Sequence, residues 1–391
     1  MNSSWITAPL GDVVTLAQGL CFNAKTNHLM VDQGIPLLRI ADLKNNTKTK
    51  FVDADRVPKK YIANPNDIIY TRTGQVGLVF KGKVGVVHNN CFRVIPKEGI
   101  DPEYIYWFLR QPSIIHQARS LAGGAAQPDL SHAAFKSIIC KFPEIKTQKS
   151  IADFLNTYDN LIENNTRRIE ILEEMARRLY EEWFVHFRFP GHEQMVFKES
   201  ALGQIPEGWS VGILQDVIVL QRGFDLPVKK RTPGGVPIIS ATGGSGTHNE
   251  PKVKGPGVVT GRSGSIGKVM YTYSDYWPLN TTLWGKSFPL GSTLFAFYTL
   301  SAIDLKGFNV GAAVPTLNRN DIHGLSVVVP SKDAINSFDQ SVESIHALME
   351  TLKKKNANLR AQRDLLLPKL VSGEIDVSDI SMPDDKEVEA A

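Results

Sequence analysis

Gly124-Ala125-Ala126-Gln127-Pro128-Asp129-Leu130 returns as Gly311-Ala312-Ala313-Val314-Pro315-Thr316-Leu317, 187 residues further on. Downstream the offset holds without a gap: Pro143 falls on Pro330, Ile151 on Phe338, Leu172 on Leu359 and Leu179 on Leu366. Upstream, Arg72-Thr73-Gly74-Gln75-Val76-Gly77 matches Arg262-Ser263-Gly264-Ser265-Ile266-Gly267 at offset 190, and Asn90 matches Asn280. Near each start, Asp12-Val13 and Gly19 answer Asp216-Val217 and Gly223 at offset 204. The chain is therefore two copies of one unit, and such a chain engages something with two equivalent parts.

Each copy has a strand-rich part, with segments such as Asp67-Ile68-Ile69-Tyr70 and Gly257-Val258-Val259-Thr260. One helix interrupts it, opening near Asp101-Pro102-Glu103 in the first copy and after Ser292 in the second. The shrinking offset gives the first copy extra residues, which belong in surface loops. A long helix ends each copy, from about Thr147 to His186 and from about Asp333 to Leu367. Heptad rows run along both: Ile151, Tyr158, Asn165, Leu172, Leu179 beside Leu155, Ile162, Ile169 in the first. In the second they are Phe338, Ile345, Leu352, Leu359, Leu366 beside Val342, Met349, Asn356 and Arg363. Apolar residues in register over five heptads read as a coiled-coil seam, each helix roughly 50–60 Å long. Only about twenty residues separate Phe187 from Gly208, too few for a parallel return. The expectation is an α+β protein: two pseudo-two-fold-related globular domains joined by two long antiparallel coiled-coil helices. Asn165 and Asn356 interrupt the seam near mid-helix, either to fix register or because they sit at its edge.

Bulk properties narrow the function. No apolar run reaches the roughly 18 residues of a membrane span. The start, Met1-Asn2-Ser3-Ser4-Trp5, has no signal-peptide pattern, so a cytoplasmic location is expected. Cys21, Cys91 and Cys140 are odd in number and far apart, which argues against a disulfide framework or a zinc site. Residues 1–146 carry a net charge of +7 and residues 205–332 a net of +5, while the 21 residues from Val371 carry −6. Two basic domains point to a polyanion. The acidic tail, from Ser378 onward above all, is expected to be disordered.

The chain carries no Asn-Pro-Pro-Tyr-like segment of an amino-methyltransferase. Gly261-Arg262-Ser263-Gly264-Ser265-Ile266-Gly267-Lys268-Val269 misses a phosphate-binding loop by one residue of glycine spacing, and Val269 stands where Ser or Thr would hold magnesium. No His, Cys and carboxylate cluster has metal-ligand spacing. If the copies read different sequences, shared residues serve fold or phosphate contact and differing residues read bases. Shared are Arg72 and Arg262, set against a structural ion pair, and Asn90 and Asn280. Differing and able to bond base edges are Lys44, Asn45, Asn46, Thr73, Gln75 and Asn89 in the first copy. In the second copy Thr242, Ser245, Ser263 and Ser265 stand in the matched segments, and His248, Asn249, Lys252 and Lys254 extend the same surface.

Leu202-Gly203-Gln204-Ile205-Pro206-Glu207-Gly208-Trp209 introduces the second copy, and Gln362-Arg363-Asp364-Leu365-Leu366-Leu367-Pro368-Lys369-Leu370-Val371-Ser372-Gly373-Glu374-Ile375 closes it. With the repeated Arg-x-Gly-x-x-Gly and Gly-Ala-Ala-x-Pro-x-Leu segments, the chain resembles the specificity subunit of type I restriction–modification systems along its whole length. The resemblance implies target-recognition domains at 1–146 and 208–332, a central spacer helix at 147–190, a linker at 191–207, a C-terminal spacer helix at 333–371 and a tail at 372–391. It implies that each domain binds half of a split DNA target, and that the chain is non-catalytic. It further implies that the helices set the gap and dock two methyltransferase subunits, with restriction–translocase subunits in the full complex. S-adenosylmethionine, ATP and magnesium would sit on those partners, none in this chain. Tyr180, Trp183, Phe184 and Phe187 either dock a partner or cover the core where helix meets globe. The alternative function is a stand-alone bivalent DNA-binding regulator, and a self-sufficient enzyme comes third.

Overall fold

A computed structural model describes residues 5–124, 126–311 and 313–377. The acidic tail from Ser378, and Ala125 and Ala312 of the repeated motif, lie outside the described residues. The fold is α+β, with two sheet-bearing lobes linked by two long helices. We label these α1 (Ile145–Tyr180) and α2 (Lys332–Ser372). The chain divides into two compact units, Met1–Asn165 with Lys354–Ala391 and Thr166–Lys353, so each unit owns half of each helix.

Both lobes are built around the same four-stranded antiparallel sheet. In the first its strands are β1 (Val14–Gln18), β2 (Ile68–Thr71), β3 (Val79–Phe80) and β4 (Cys91–Pro96), in the order β1-β4-β2-β3. In the second they are β5 (Val219–Arg222), β6 (Gly257–Gly261), β7 (Val269–Thr272) and β8 (Thr282–Ser287), in the order β5-β8-β6-β7. A two-stranded sheet accompanies each, Ile6–Pro9 with Ile139–Phe142 and Ser210–Ile213 with Ser326–Val329. The expected interrupting helices are Pro102–Leu109, whose Asp101 cap accepts from Tyr104 N, and Thr293–Ala302, whose Ser292 cap accepts from Phe295 N.

The extra residues of the first copy are not merely loops. The first lobe has a five-stranded sheet that includes the short strands Met30–Val31 and Ile62–Ala63, where the second lobe has three strands. Leu20, Leu29, Leu37, Val52, Val57 and Val86 form a small core beneath it. An insertion carrying alternate apolar residues buries them instead of lying in solvent.

In the first unit α1 and α2 run antiparallel: Ile151 and Leu155 share a core with Leu367 and Leu370, while Asn165 Nδ2 donates to Asn356 Oδ1 at 3.0 Å. Asn356 is buried and also donates to the Ile162 carbonyl, so the two seam asparagines meet each other and a backbone group. Only one pairing register satisfies both bonds. In the second unit Lys353 lies 3.8 Å from Glu173, and Phe338 packs on Trp183, again antiparallel. None of the sixteen apolar and asparagine seam positions is exposed. The helix α2 runs on through Pro368, past the last heptad residue at Leu366. Proline removes one helical bond at a cost of about 3 kcal/mol. Burial of Leu370 and Val371 in the first core offsets it.

Candidate nucleic-acid interface

The Arg-x-Gly-x-x-Gly segment is the turn leaving β2, and again the turn leaving β6. Gly74, Gly77, Gly264 and Gly267 all have φ between 81° and 95°, which side-chain-bearing residues rarely adopt. Each turn closes on the Gly-Ala-Ala-x-Pro-x-Leu segment of its own lobe. Gly74 N donates to the Pro128 carbonyl at 2.7 Å and Leu130 N to that of Arg72 at 3.0 Å. Gly264 N donates to Pro315 at 2.9 Å and Leu317 N to Arg262 at 2.8 Å. The two repeated motifs are thus halves of one structure.

The same bonds correct one match. Arg72 N donates to the Asn90 carbonyl, but Arg262 N donates to that of Thr281; Gly19 N and Gly223 N reach Cys91 and Thr282. The offset here is 191, so Asn280 corresponds to Asn89, and Asn90 to Thr281. The second copy carries one more residue between β7 and β8, and the doublet Asn89-Asn90 lets either register look right in sequence.

In the first lobe Lys44, Asn45, Thr73 and Gln75 line one cleft of about 340 Å³ with Ala41 and Gly74. Lys44, Asn45 and Asn46 are exposed, at the end of the helix Ile40–Asn45. Asn46 is left-handed (φ 53°) and accepts from Lys83 Nζ at 2.8 Å. Beneath them is Asp42, 3% exposed, which sequence reasoning missed. It accepts from Arg39 Nε (2.7 Å), Thr49 Oγ1 (2.8 Å) and Thr47 Oγ1 (3.0 Å). Burial pushes its carboxyl up, but these bonds outweigh burial and hold it below the ordinary value. Asn89 and Asn90 are half-buried, their carbonyls accepting from Gln18 Nε2 and Arg72 N. Arg72 is engaged: Nη2 meets Asp129 Oδ2 at 2.5 Å and Nη1 meets Gln18 Oε1 at 3.2 Å.

The second lobe gathers its candidates less tightly. The segment corresponding to the Lys44 helix is here the strand Gly243–His248. Thr242, Asn249, Lys252 and Lys254 are exposed; Ser245, Ser263, Ser265 and Asn280 are half-buried. The Ser245 carbonyl accepts from Arg231, and Asn280 Nδ2 donates to Asp225. Lys252 lies over the Phe224 and Trp277 rings at 5.3 and 5.7 Å. His248 is buried, accepting from Thr232 N and meeting the Trp277 edge, so its ring is turned to the lobe interior.

Tyr180, Trp183 and Phe184 are buried and Phe187 packs against the same core, with Trp209, Phe295 and Phe338. They cover the junction of helix and lobe. Exposed apolar side chains on α1 lie elsewhere: Ile171 at 60% and Met175 at 51%, one turn apart. The second unit also has a cleft of about 470 Å³ walled by Tyr271, Tyr273, Phe297, Tyr298 and His346. His346 is buried, and its Nε2 lies 2.7 Å from the Tyr298 hydroxyl. Burial, then Lys353, pushes its pKa down to about 4. A histidine with a depressed folded pKa lends its stability above the unfolded value of about 6.5 and loses it as pH falls toward 4, on the order of 3 kcal/mol in all. The thermal midpoint is expected to fall across that window, and less so in His346→Phe; parallel curves for the two proteins would contradict this.

The family described as "Type I restriction modification DNA specificity domain" matches this chain twice, at residues 2–174 and 206–363. The chain is 27% identical over 342 residues to the type I restriction enzyme MjaIX specificity subunit of Methanocaldococcus jannaschii, spanning 80% of this chain and 78% of that one. It is 29% identical over 225 residues to the MjaVIII specificity subunit of the same organism, spanning 56% of this chain and 50% of that one. Among solved structures, the S subunit of a type I restriction–modification system from M. genitalium superposes with a TM-score of 0.58 at 17% identity, over 95% of this chain and 97% of the other. The chain belongs to the type I restriction–modification DNA specificity family. Its role is that of the DNA-specificity subunit of such a complex, a non-catalytic one, and its partners are DNA and the other subunits of that system. Among the described residues no helix is long and apolar enough to cross a membrane.

Proposed function

We propose that each lobe binds one half of a split duplex target, that the paired helices set the gap between the halves, and that they dock two methyltransferase subunits, with restriction–translocase subunits joining in the full complex. The observation that carries this reading is the repeated turn. Each lobe has the same sheet order and the same Arg-x-Gly-x-x-Gly turn closed on the same partner segment, while the polar side chains around the turn differ. A shared frame with differing polar groups suits two half-sites of different sequence. The basic charge of both lobes supports a duplex partner, and Ile171 and Met175 offer apolar contact to a docked subunit.

The test is co-expression with a cognate methyltransferase subunit, followed by genome-wide mapping of modified adenines. A split motif with a constant gap is expected, and its loss when either lobe is deleted. A stable complex that leaves no new methylation would sink this reading in favour of a stand-alone DNA-binding regulator.

A further inference from the structure

We propose that the second lobe carries a phosphate site made by Arg222, Arg262 and Arg319, and that the first lobe lacks it. The inference rests on the reading of the lobes as DNA-binding, and the duplication supplies its internal comparison. Arg72 and Arg262 occupy the same backbone niche, as the bonds from Leu130 N and Leu317 N to their carbonyls fix. Their surroundings differ at each of three equivalent positions. Gln18 pairs with Phe92 across β1 and β4, and Arg222 pairs with Leu283 across β5 and β8. Asp129 bridges Thr73, and Thr316 bridges Ser263. His132 opens a short helix behind its Ser131 cap, and Arg319 opens its counterpart behind Asn318.

In the first lobe one carboxylate neutralises one guanidinium, and Gln18 takes a second bond. In the second lobe Thr316 replaces that carboxylate, and two further arginines replace Gln18 and His132. Arg222, Arg262, Thr316 and Arg319 line one cleft of about 350 Å³. None of the three arginines forms an ion pair among the described residues; Arg262 Nη1 donates to the Asn280 carbonyl. Three guanidiniums lining one cleft with no acid in its wall make a local positive field that favours an anion. Their planar forks match phosphate oxygens in pairs. Leu283 and Leu317 wall the same cleft, and Arg222 and Arg319 are exposed at its mouth, open to an incoming backbone.

A phosphate of the DNA backbone and a free phosphate share this chemistry, and the experiment separates them. The full chain is titrated with a duplex carrying its target, at several salt concentrations, and separately with inorganic phosphate. The variants are R222Q/R319Q and Thr316→Asp, the latter giving Arg262 the partner Arg72 already has; circular dichroism checks that both fold. For a backbone contact, each variant weakens duplex binding roughly tenfold to a hundredfold at low salt. Each also lowers the slope of log affinity against log salt by about one, and the methylated motif stays the same. In the first lobe Asp129→Thr, which frees Arg72, steepens the slope. If only the affinity for inorganic phosphate falls in the variants, the site serves a free phosphate. Variants that bind duplex and phosphate like the parent overturn the proposal and leave the DNA-binding reading intact. A parent chain that binds no duplex, alone or with its methyltransferase, overturns that reading instead.

Discussion

Trp107→Ala is expected to destabilise the first unit by about 3–5 kcal/mol, the range for deleting a large buried aromatic. The indole is fully buried and touches three elements at once. It stands on the helix Pro102–Leu109, and its Nε1 donates to Asn156 Oδ1 on α1 at 2.8 Å. Arg110 lies over the ring at 4.4 Å and Arg363, from α2, at 5.8 Å. Both arginines bond Asp159 on α1. Truncation leaves a cavity, orphans the Asn156 amide and removes the surface against which two cations are stacked. Trp107→Phe keeps most of the packing and loses the N–H, so its cost is expected at about 1–2 kcal/mol. Denaturant unfolding with the parent as reference measures both. An alanine variant unfolding at the parent midpoint would show that the indole does not hold lobe to helices.

Gly261→Ala is expected to cost about 1–3 kcal/mol, or more, and to weaken binding by the second lobe. Gly261 is the last residue of β6, buried, and a Cβ there would overlap the Ser265 carbonyl oxygen. To admit it, the Arg262–Gly267 turn must move away from Pro315 and Leu317, taking the Arg262 side chain with it. The first lobe solves the same position differently: Thr71 stands there and its hydroxyl donates to the corresponding carbonyl, that of Gln75. Gly244→Ala is the control. No atom lies within 4 Å of the added carbon and its φ is ordinary, so a change within about 0.5 kcal/mol is expected. Equal stability and equal duplex affinity for Gly261→Ala and the parent would contradict the account.

Periodicity and repetition made much of this fold legible. The heptad rows were readable because a buried stripe must recur every seven residues, and the asparagines were conspicuous as its exceptions. The strand-rich halves were readable as copies. What the sequence did not disclose were contacts between distant segments. That the Arg-x-Gly-x-x-Gly turn closes on the Gly-Ala-Ala segment depends on strand order, which leaves no local pattern. The clamp of Arg110, Asp159 and Arg363 joins three elements with no shared spacing. Asp42 looked like any surface acid, and its burial is set by Thr47, Thr49 and Arg39 folding over it. His248 looked like a polar loop residue, yet a register shift in the pairing of its strand breaks the alternation before it and leaves its ring buried.

Synthesis of the chain imposes an order on these units. The first core contains Leu367, Leu370, Val371 and Val377 beside Ile151 and Leu155, and Trp5 packs against it. The ribosome must therefore make all of Thr166–Lys353 before the first unit receives its last wall. At about 5–20 residues per second that interval is roughly 10–40 s. Throughout it the early half of α1, packed on its own lobe, lacks the cover of Leu367, Leu370 and Val371, while the second unit, contiguous in sequence, completes itself first. The earlier-made half of the protein is the later to close, and chaperone demand during translation should centre on residues 151–165.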